Sequence, residues 1–311
     1  MLATVVRTWG SSPRPVGSIM ALCEDGSVVG SVSGGCIEDD LIYRYAQGKT
    51  MPLGAPTIVK YGVSADEAHR FGLPCGGTLE LLLEWDPCPD SLEKILASVD
   101  AGSLVLRSVQ LSDGEVTLSE TVVPVELTLT HTALQHCFGP QFRMLLIGAG
   151  QLAEYLATMA TFNGFAVTIC DPRKEYRTEW NVPGVKVVQD MPDDEVRSFK
   201  PDQRSCVVAL SHDPKLDDLA LLEALESDAF YIGAIGSRRN SLARRERMIE
   251  HFGHTHESLA RLRAPIGMYI ASKTPPEIAV SVMAEILAVK NGVRLPESAD
   301  VGWAKENLIS T

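Results

Sequence analysis

One glycine-rich turn constrains the fold of this chain more than any other feature. An apolar run that starts at Met144 ends at Gly148, an amphipathic helix follows the turn, and a second apolar run ends at Asp171. This order predicts the opening β-α-β unit of a dinucleotide-type fold. Gly148 permits the tight turn, Gly150 lets the backbone approach a phosphate, and Ala153 is small enough for close helix–strand packing.

The same unit suggests a ligand class but does not name the ligand. The helix that begins after Gly150 offers free N–H groups and a partial positive charge to an anion. Asp171 lies roughly 20 residues beyond the turn, where an acid usually binds a ribose hydroxyl. Because such a turn recognises phosphate rather than nicotinamide, the rest of the chain must identify the ligand.

Composition narrows the possible classes of protein. The 311 residues are enough for two domains, and an apolar content of 45% with a formal net charge of −12 is typical of a soluble protein. The acidic balance argues against a nucleic-acid or anionic-membrane partner. Seven cysteines without a CxxC pair predict reduced thiols in a cytoplasm. The histidines at 251, 254 and 256 favour a solvated loop over a metal site.

The pattern of elements predicts an α/β protein with two domains. Residues 1–120 form a mixed α+β domain of short strands and hairpins, 121–142 an irregular linker with two prolines, and 143–311 a Rossmann-like, doubly wound domain. The Rossmann-like domain is expected to have five parallel strands, at 144–148, 166–170, 185–188, 206–210 and 230–235. Its closing helix has a capping box, with Thr274 as the N-cap and Glu277 at the third position.

The loop after the fourth of these strands is expected to face the glycine turn. A strand order of 3-2-1-4-5 would place the switch point between the strands that end at Gly148 and Leu210. His212 would then lie near a bound phosphate and could donate or transfer a proton. A purely structural interpretation is that Asp213 caps the next helix, with Pro214 in its first turn. Both roles are compatible.

The loop after the fifth strand combines small and basic residues. Gly233, Gly236, Ser237, Arg238 and Arg239 at the carboxyl end of a strand suit an anionic ligand. The alternative is an arginine-rich helix start, which is electrostatically unfavourable without a counter-anion.

Three further positions have open interpretations. Arg173 either contacts a phosphate or lies solvated at the surface. Cys36 follows a Gly-Gly turn at the start of a helix, where a thiol tends toward thiolate, although the acids at 38–40 oppose this. Cys75 precedes Gly76 and Gly77, so the backbone beside it can be approached closely. Both cysteines could instead be structural.

Several motifs together resemble the XdhC/CoxI family over nearly the whole chain. They are Thr4–Arg14, Ser33–Glu38, Cys75–Gly77, Gly148–Gly150, Asp171–Arg173, Ser211–Pro214, Gly233–Arg239, Ala264–Gly267 and Lys273–Pro275. Members of this family serve as maturation factors for molybdenum hydroxylases such as xanthine dehydrogenase. The resemblance implies a cytoplasmic binding and delivery module rather than a turnover enzyme.

The resemblance also implies a cofactor, partners and site residues. The cofactor would be the molybdenum cofactor, as molybdopterin or its dinucleotide form, bound beside Lys273 and the Rossmann loops. Cys36 would contact molybdenum or sulfur across a domain cleft. The partners would be an apo molybdenum hydroxylase, a cysteine desulfurase, possible cofactor nucleotidyltransferases and, in a homodimer, a second copy.

This chain departs from the family pattern at several positions. Position 151 is Gln where many relatives have His, which leaves His212 to perform any acid–base role alone. Tyr269 and Ala271 replace an acid and a glycine, which would reshape the pocket beside Lys273. Members of the family usually carry a helix before the first strand, whereas here Met1 falls at the strand itself.

Two rival functions follow from the residues. An NAD(P)-dependent oxidoreductase would use the same turn and Asp171, although the sequence lacks an evident hydride-transfer constellation such as a placed Tyr-x-x-x-Lys pair. A structural adaptor would hold no ligand in its glycine loops.

Overall fold

The computed structural model describes residues 1–10, 14–46, 52–62, 78–178 and 180–307. These residues form two compact units, Met1–Gly139 and Pro140–Thr311. None of the helices in the described ranges is both long and apolar enough to cross a membrane.

The first unit contains two antiparallel sheets. The first sheet has five strands in the order β3-β2-β1-β5-β4, which are β1 (Leu2–Trp9), β2 (Ile19–Leu22), β3 (Val28–Gly30), β4 (Thr57–Tyr61) and β5 (Thr78–Glu84). The second has four strands in the order β7-β6-β9-β8, which are β6 (Leu104–Gln110), β7 (Val116–Thr121), β8 (Thr128–Leu129) and β9 (Ala133–Phe138). Two helices complete the unit, α1 (Cys36–Tyr45) and α2 (Pro89–Asp100).

Apolar side chains hold the elements of the first unit together. Helix α1 buries Ile37 and Leu41 in a cluster with strands of the first sheet. Leu82 of the first sheet and Val109 of the second belong to a smaller cluster that joins the two sheets. A buried, bidentate ion pair between Arg107 and Glu84 also joins them, at 2.9 and 2.7 Å.

The irregular structure predicted for residues 121–142 is wrong. Residues 121–142 were expected to be irregular, but they include β8 and β9, and β9 pairs with β6 from Ala133 to Phe138. The prolines and the short length of these strands obscured the pattern. Their pairing depends on β6, more than twenty residues earlier, which no local pattern reveals.

The second unit is a parallel sheet covered by helices on both faces. Its strands have the order β12-β11-β10-β13-β14-β15 and are β10 (Phe142–Ile147), β11 (Phe165–Cys170), β12 (Lys186–Val188), β13 (Ser205–Ala209), β14 (Tyr231–Ala234) and β15 (Leu262–Arg263). The helices are α3 (Gln151–Phe162), α4 (Lys174–Arg177), α5 (Pro192–Phe199), α6 (Pro214–Leu225), α7 (Arg238–Phe252), α8 (Pro275–Lys290) and α9 (Val301–Asn307), with 3₁₀ turns at Ser258–Arg261 and Glu297–Ala299.

The predicted α/β class and the 3-2-1-4-5 strand order are confirmed. The sheet has six strands rather than five, because β15 adds an edge strand that is too short to show a period in the sequence. The capping box of α8 is also confirmed, since Glu277 accepts a hydrogen bond from the Thr274 backbone at 3.1 Å. Helices α3 and α8 cover one face of the sheet and α5, α6 and α7 the other.

Candidate functional site

The glycine turn after β10 lies against the loop that follows β13. Gly148 has a φ of 101°, and a Cβ built there would lie 2.5 Å from Ser211 Cα. Only glycine accepts both the left-handed backbone and this close approach. The turn thus brings the predicted residues at 148–150 and 211–213 together at the switch point of the sheet.

Gly150 leaves the start of α3 open. It is the N-cap residue of α3, and among the described residues no side chain caps the helix and no atom lies within 4 Å of a Cβ built at Gly150. Ala153 is fully buried below it, as close helix–strand packing requires. A cavity of about 400 Å³ adjoins this turn, but two of its lining residues are acidic, Glu154 and Glu175.

Asp171 supports the turn instead of presenting a free carboxylate. It is 1% exposed, and its Oδ2 accepts hydrogen bonds from the Ala149 N–H at 2.9 Å and Arg173 Nη2 at 2.8 Å. Its Oδ1 accepts from Arg173 N at 3.0 Å and Nε at 2.9 Å. The two oxygens therefore have their acceptor capacity filled in this conformation, so a ribose hydroxyl would have to displace one of these donors. Ligand binding by Asp171 stays a prediction.

Arg173 is held by the same interaction. Burial raises the pKa of Asp171, but the hydrogen bonds from Arg173 and Ala149 outweigh it and lower the pKa below its usual range. The guanidinium of Arg173 also lies 4.0 Å from the ring centroid of Tyr176. Its charge is therefore balanced by Asp171, and it is not solvated on all sides. A phosphate contact by Arg173 stays a prediction.

The loop after β13 exposes His212 in an unusual conformation. His212 has a φ of 60° and its side chain is exposed. Left-handed backbone is uncommon for a residue with a side chain and costs free energy. Asp213 caps α6 by accepting a hydrogen bond from the Lys215 N–H at 2.9 Å, with Pro214 in the first turn. Asp213 therefore caps α6 as predicted. A ligand contact by His212 is compatible with this cap and stays a prediction.

Sequence reasoning missed a buried charge network below these loops. Ser211 donates from its N–H and Oγ to Asp217 Oδ1, at 3.1 and 2.6 Å. Arg244 bonds Asp217 at 3.0 Å and Asp218 at 2.7 Å, and Arg247 also bonds Asp218. Burial raises the pKa of Asp217, and the bonds from Ser211 and Arg244 oppose that effect.

This network ties two loops of the site together. Arg244 of α7 reaches the loop after β13 through Asp217 and also lies 3.5 Å from the carbonyl oxygen of Ile235, after β14. The adjacent acids at the start of α6 were the available signal, but they are equally typical of a helix N-terminus. Their pairing with an arginine on another helix is a tertiary feature.

Gly233 has a packing role in this structure, and its place in the ligand site stays a prediction. It is buried within β14, and a Cβ there would lie 2.5 Å from Ile266 Cγ2 and 2.7 Å from Tyr231 Cε1. Glycine is needed at this position because neighbouring side chains fill the space. A ligand cannot use that space.

The residues after β14 form the start of α7. Ser237 is the N-cap residue and its Oγ accepts a hydrogen bond from the Asn240 N–H at 3.1 Å. Arg238 and Arg239 follow in the first turn and are exposed, and Gly236 is half-buried beside them. A cavity of about 670 Å³ has both arginines in its wall. Lys273 is also exposed and immediately precedes Thr274, the N-cap of α8.

Cys36 lies in the first unit as the first residue of α1, and it is exposed. The loop before it wraps around the carboxylate of Glu38. Oε1 of Glu38 accepts hydrogen bonds from Ser31 Oγ and from the backbone N–H groups of residues 32–34, at 2.8–3.0 Å. Oε2 accepts from Ser33 Oγ and the Gly35 N–H. Glu38 therefore fixes the loop that presents Cys36. The prediction for Cys75 lies outside the described residues.

Burial is the largest single influence on the Glu38 carboxyl and raises its pKa. The hydrogen bonds from Ser33, Gly34 and Ser31 together outweigh burial and hold the pKa well below its usual range. Within the described ranges, no group of three or more His, Cys, Asp or Glu residues is arranged to hold a metal ion.

Comparison with known proteins identifies the family. A model described as the XdhC Rossmann domain matches residues 144–286, and one described as the XdhC and CoxI family matches residues 1–62. The chain belongs to the XdhC/CoxI family.

Two curated relatives match nearly the whole chain. The "Molybdenum cofactor insertion chaperone PaoD" of Escherichia coli (strain K12) is 27% identical over 93% of this chain and 83% of the relative. A probable xanthine dehydrogenase subunit of Bacillus subtilis (strain 168) is 25% identical over 94% of each.

A solved structure also matches this XdhC/CoxI chain. A crystal structure described as a xanthine dehydrogenase from Bacillus halodurans aligns with a TM-score of 0.70 at 25% identity, covering 97% of this chain and 94% of that chain.

Proposed function

We propose that this protein binds the molybdenum cofactor and delivers it to an apo molybdenum hydroxylase such as xanthine dehydrogenase. The observation that carries the proposal is the match to a molybdenum cofactor insertion chaperone over 93% of the chain. The geometry supports it, since Arg238 and Arg239 line a cavity at the carboxyl edge of the Rossmann sheet, and His212 is exposed in another loop at that edge. In this role the cofactor is cargo.

An oxidoreductase that uses NAD(P) is less well supported. The ribose-binding acid of that class has a free carboxylate, whereas both oxygens of Asp171 are occupied by Ala149 and Arg173. If Asp171 were to bind the ribose of NAD(P), Arg173 would first have to break its bidentate ion pair with the Asp171 carboxylate. The proposal therefore favours a pterin cofactor over a nicotinamide one.

Cys36 is the residue that we propose to contact the molybdenum or its sulfur. It is exposed at the first position of α1, and the fixed loop before it limits the positions its thiol can occupy. With this role the protein would protect the cofactor during sulfuration by a cysteine desulfurase, before insertion. A nucleotidyltransferase would supply the cofactor if the dinucleotide form is the cargo.

Cofactor retention tests the proposal directly. Protein purified from cells that make molybdenum cofactor is expected to retain about one pterin and one molybdenum per chain and to raise the activation of an apo-hydroxylase. Cys36→Ala should lower activation, whereas Cys23→Ala, at another exposed thiol of the same unit, should not. No retention by the wild type would refute the function. Equal activation by wild type and Cys36→Ala would refute the role of Cys36 alone.

Differential melting separates the rival functions. Isolated molybdenum cofactor should raise the melting temperature of the wild type, and NAD or NADP should leave it unchanged. Stabilisation by NADH, together with turnover of a carbonyl substrate, would instead support the oxidoreductase.

A further inference from the structure

Two long helices of the second unit begin at the carboxyl edge of the sheet, and they differ in charge. The cavity at the start of α3 is lined by Glu154 and Glu175. The cavity at the start of α7 is lined there by Arg238 and Arg239, and two turns further along the helix by Arg245 and Glu246, whose charges balance. A helix N-terminus favours an anion only if the neighbouring side chains do not oppose it. The charges therefore favour α7 over the glycine turn as the place for a phosphate.

The arginines at α7 are arranged for an external partner. The first turn of α7 contains no acid, and within the described ranges the guanidinium groups of Arg238 and Arg239 have no hydrogen-bond or ion-pair partner. Positive charge is unfavourable beside the positive end of a helix. Arg245 donates to the backbone carbonyls of Leu259 and Leu262, at 2.8 and 2.6 Å, and lies two helical turns further along α7. An anion at the start of α7 would therefore offset the charges of Arg238 and Arg239.

A buried hydroxyl points to a ligand independently of these charges. Ser241 lies one turn into α7, is 4% exposed and lines the cavity. Its Oγ has no hydrogen-bond partner within the described part of the chain. A Cβ at Gly236 would lie 3.7 Å from this oxygen, so the hydroxyl is directly below the turn that precedes α7. A buried hydroxyl without a partner is costly, and a phosphate oxygen is a suitable acceptor for it.

The cavity has room for more than a phosphate. Its volume of about 670 Å³ lies within the range of small-molecule sites, and Leu242, Ala264 and Pro265 supply apolar wall. Glu246 also lines it, but it lies beside Arg245, two helical turns beyond Arg238 and Arg239, about 10 Å along the axis. The cationic end and the apolar wall suit a phosphorylated organic ligand.

We propose that the Gly236–Arg239 turn with Ser241, and not the glycine turn at 148–150, binds the phosphate group of the ligand. This inference rests on the proposed function for the identity of the organic part, a pterin. Arg238 and Arg239 pair with the phosphate, Ser241 donates its hydroxyl, and the first N–H groups of α7 face it. In this proposal the glycine turn has a structural role, because Gly148 lets the end of β10 lie close to Ser211 after β13.

Calorimetric titration of the full chain with inorganic pyrophosphate tests the site. The double variant Arg238→Gln/Arg239→Gln is expected to bind at least about tenfold more weakly, because charge-assisted hydrogen bonds to phosphate are lost. Ser241→Ala should weaken binding several-fold with little change in packing. The matched control Lys186→Gln/Arg294→Gln removes two exposed positive charges of the same unit that lie outside the cavity and should bind like the wild type.

Gly150→Ala tests the alternative that the phosphate binds at the glycine turn. Its Cβ has open space, so the variant should fold, yet it would obstruct a phosphate at the glycine turn. Weaker binding in Gly150→Ala than in the arginine variant would overturn the proposal. Equal affinity in all variants, or no pyrophosphate binding by the wild type at millimolar concentration, would also overturn it.

A parallel titration with isolated molybdenum cofactor separates this inference from the proposed function. Arginine-dependent binding of pyrophosphate without any binding of the cofactor would refute the function and leave the phosphate site standing. Cofactor binding that is unchanged in the arginine variant would refute the phosphate site and leave the function standing.

Discussion

Replacing Glu38 by glutamine should loosen the loop that presents Cys36. The glutamine keeps the shape of the side chain, and its amide oxygen can still accept the bonds made to Oε1. Its NH₂ group takes the place of Oε2, where the Gly35 N–H loses its acceptor and the Ser33 hydroxyl must change from donor to acceptor. Both bonds to the charged Oε2 are therefore lost or replaced by a weaker neutral bond, and the others are weakened. At about 1.5–3 kcal/mol for each bond to a charged group, the expected loss is about 3–5 kcal/mol of local stability.

Hydrogen exchange measures this effect at the loop itself. The backbone amides of residues 32–35 donate to Glu38, so their exchange should accelerate at least about a hundredfold in Glu38→Gln at pH 7, since each 1.4 kcal/mol is tenfold. Asp39→Asn is the matched control, because it removes the same charge from an exposed neighbour in the same helical turn. Unchanged exchange in Glu38→Gln, or equal acceleration in Asp39→Asn, would refute the reasoning.

The same carboxylate predicts a dependence on pH. The pKa of Glu38 is lower in the folded protein than in the unfolded chain, so its stabilising effect is complete above the unfolded value of about 4.3 and is lost as pH falls below it. Linkage limits the loss to about 1.4 kcal/mol per pH unit, or about 1 kcal/mol between pH 5 and pH 3.5. The free energy of unfolding of wild type minus that of Glu38→Gln should decrease by that amount over this interval. A constant difference would show that Glu38 is not the titrating group.

Three further changes test the packing of the fold. Gly148→Ala should lower the melting temperature by the equivalent of about 3 kcal/mol or more, because its Cβ would collide with Ser211 at a left-handed position; a shift below about 1 kcal/mol would contradict the close approach. Arg107→Met should lower the free energy of unfolding in urea by about 3–5 kcal/mol by leaving Glu84 buried and unpaired, and a second change of Glu84 to Leu should recover most of that loss. His212→Gly should raise the melting temperature by the equivalent of about 0.5–1 kcal/mol, because glycine accepts the left-handed conformation; a lower melting temperature would show that the ring makes stabilising contacts.

Local patterns predicted the parts of this fold that depend on neighbours in sequence. The β-α-β turn, the strand order of the sheet and the capping box at Thr274 follow from apolar periods, glycine positions and cap residues. Asp213 as a helix cap was likewise predictable from its place before Pro214. The short strands β8, β9 and β15 were missed, since a strand of two to six residues is recognised mainly by the partner it pairs with.

The candidate site was predicted as a set of positions, but the roles of its residues depended on tertiary contacts. Asp171 and Gly233 are both where the sequence placed them, yet one has its carboxylate filled by Arg173 and Ala149 and the other makes room for Ile266. The Ser241 hydroxyl has no hydrogen-bond partner among the described residues, and its sequence neighbours could not reveal this, because side-chain partners come from residues that are distant in sequence.

The Rossmann-like architecture and the loops at its carboxyl edge can be read from the amino-acid sequence, because helix periods, tight turns and caps arise from interactions over a few residues. Which of those loops is electrostatically open to an anion depends on contacts made in the folded protein. The attraction of a charged group for a ligand depends on whether another side chain already neutralises it. Asp171 neutralises Arg173 at the glycine turn, whereas Arg238 and Arg239 begin a helix without an acid in its first turn. That balance is set by residues that are distant in sequence and adjacent in the folded chain.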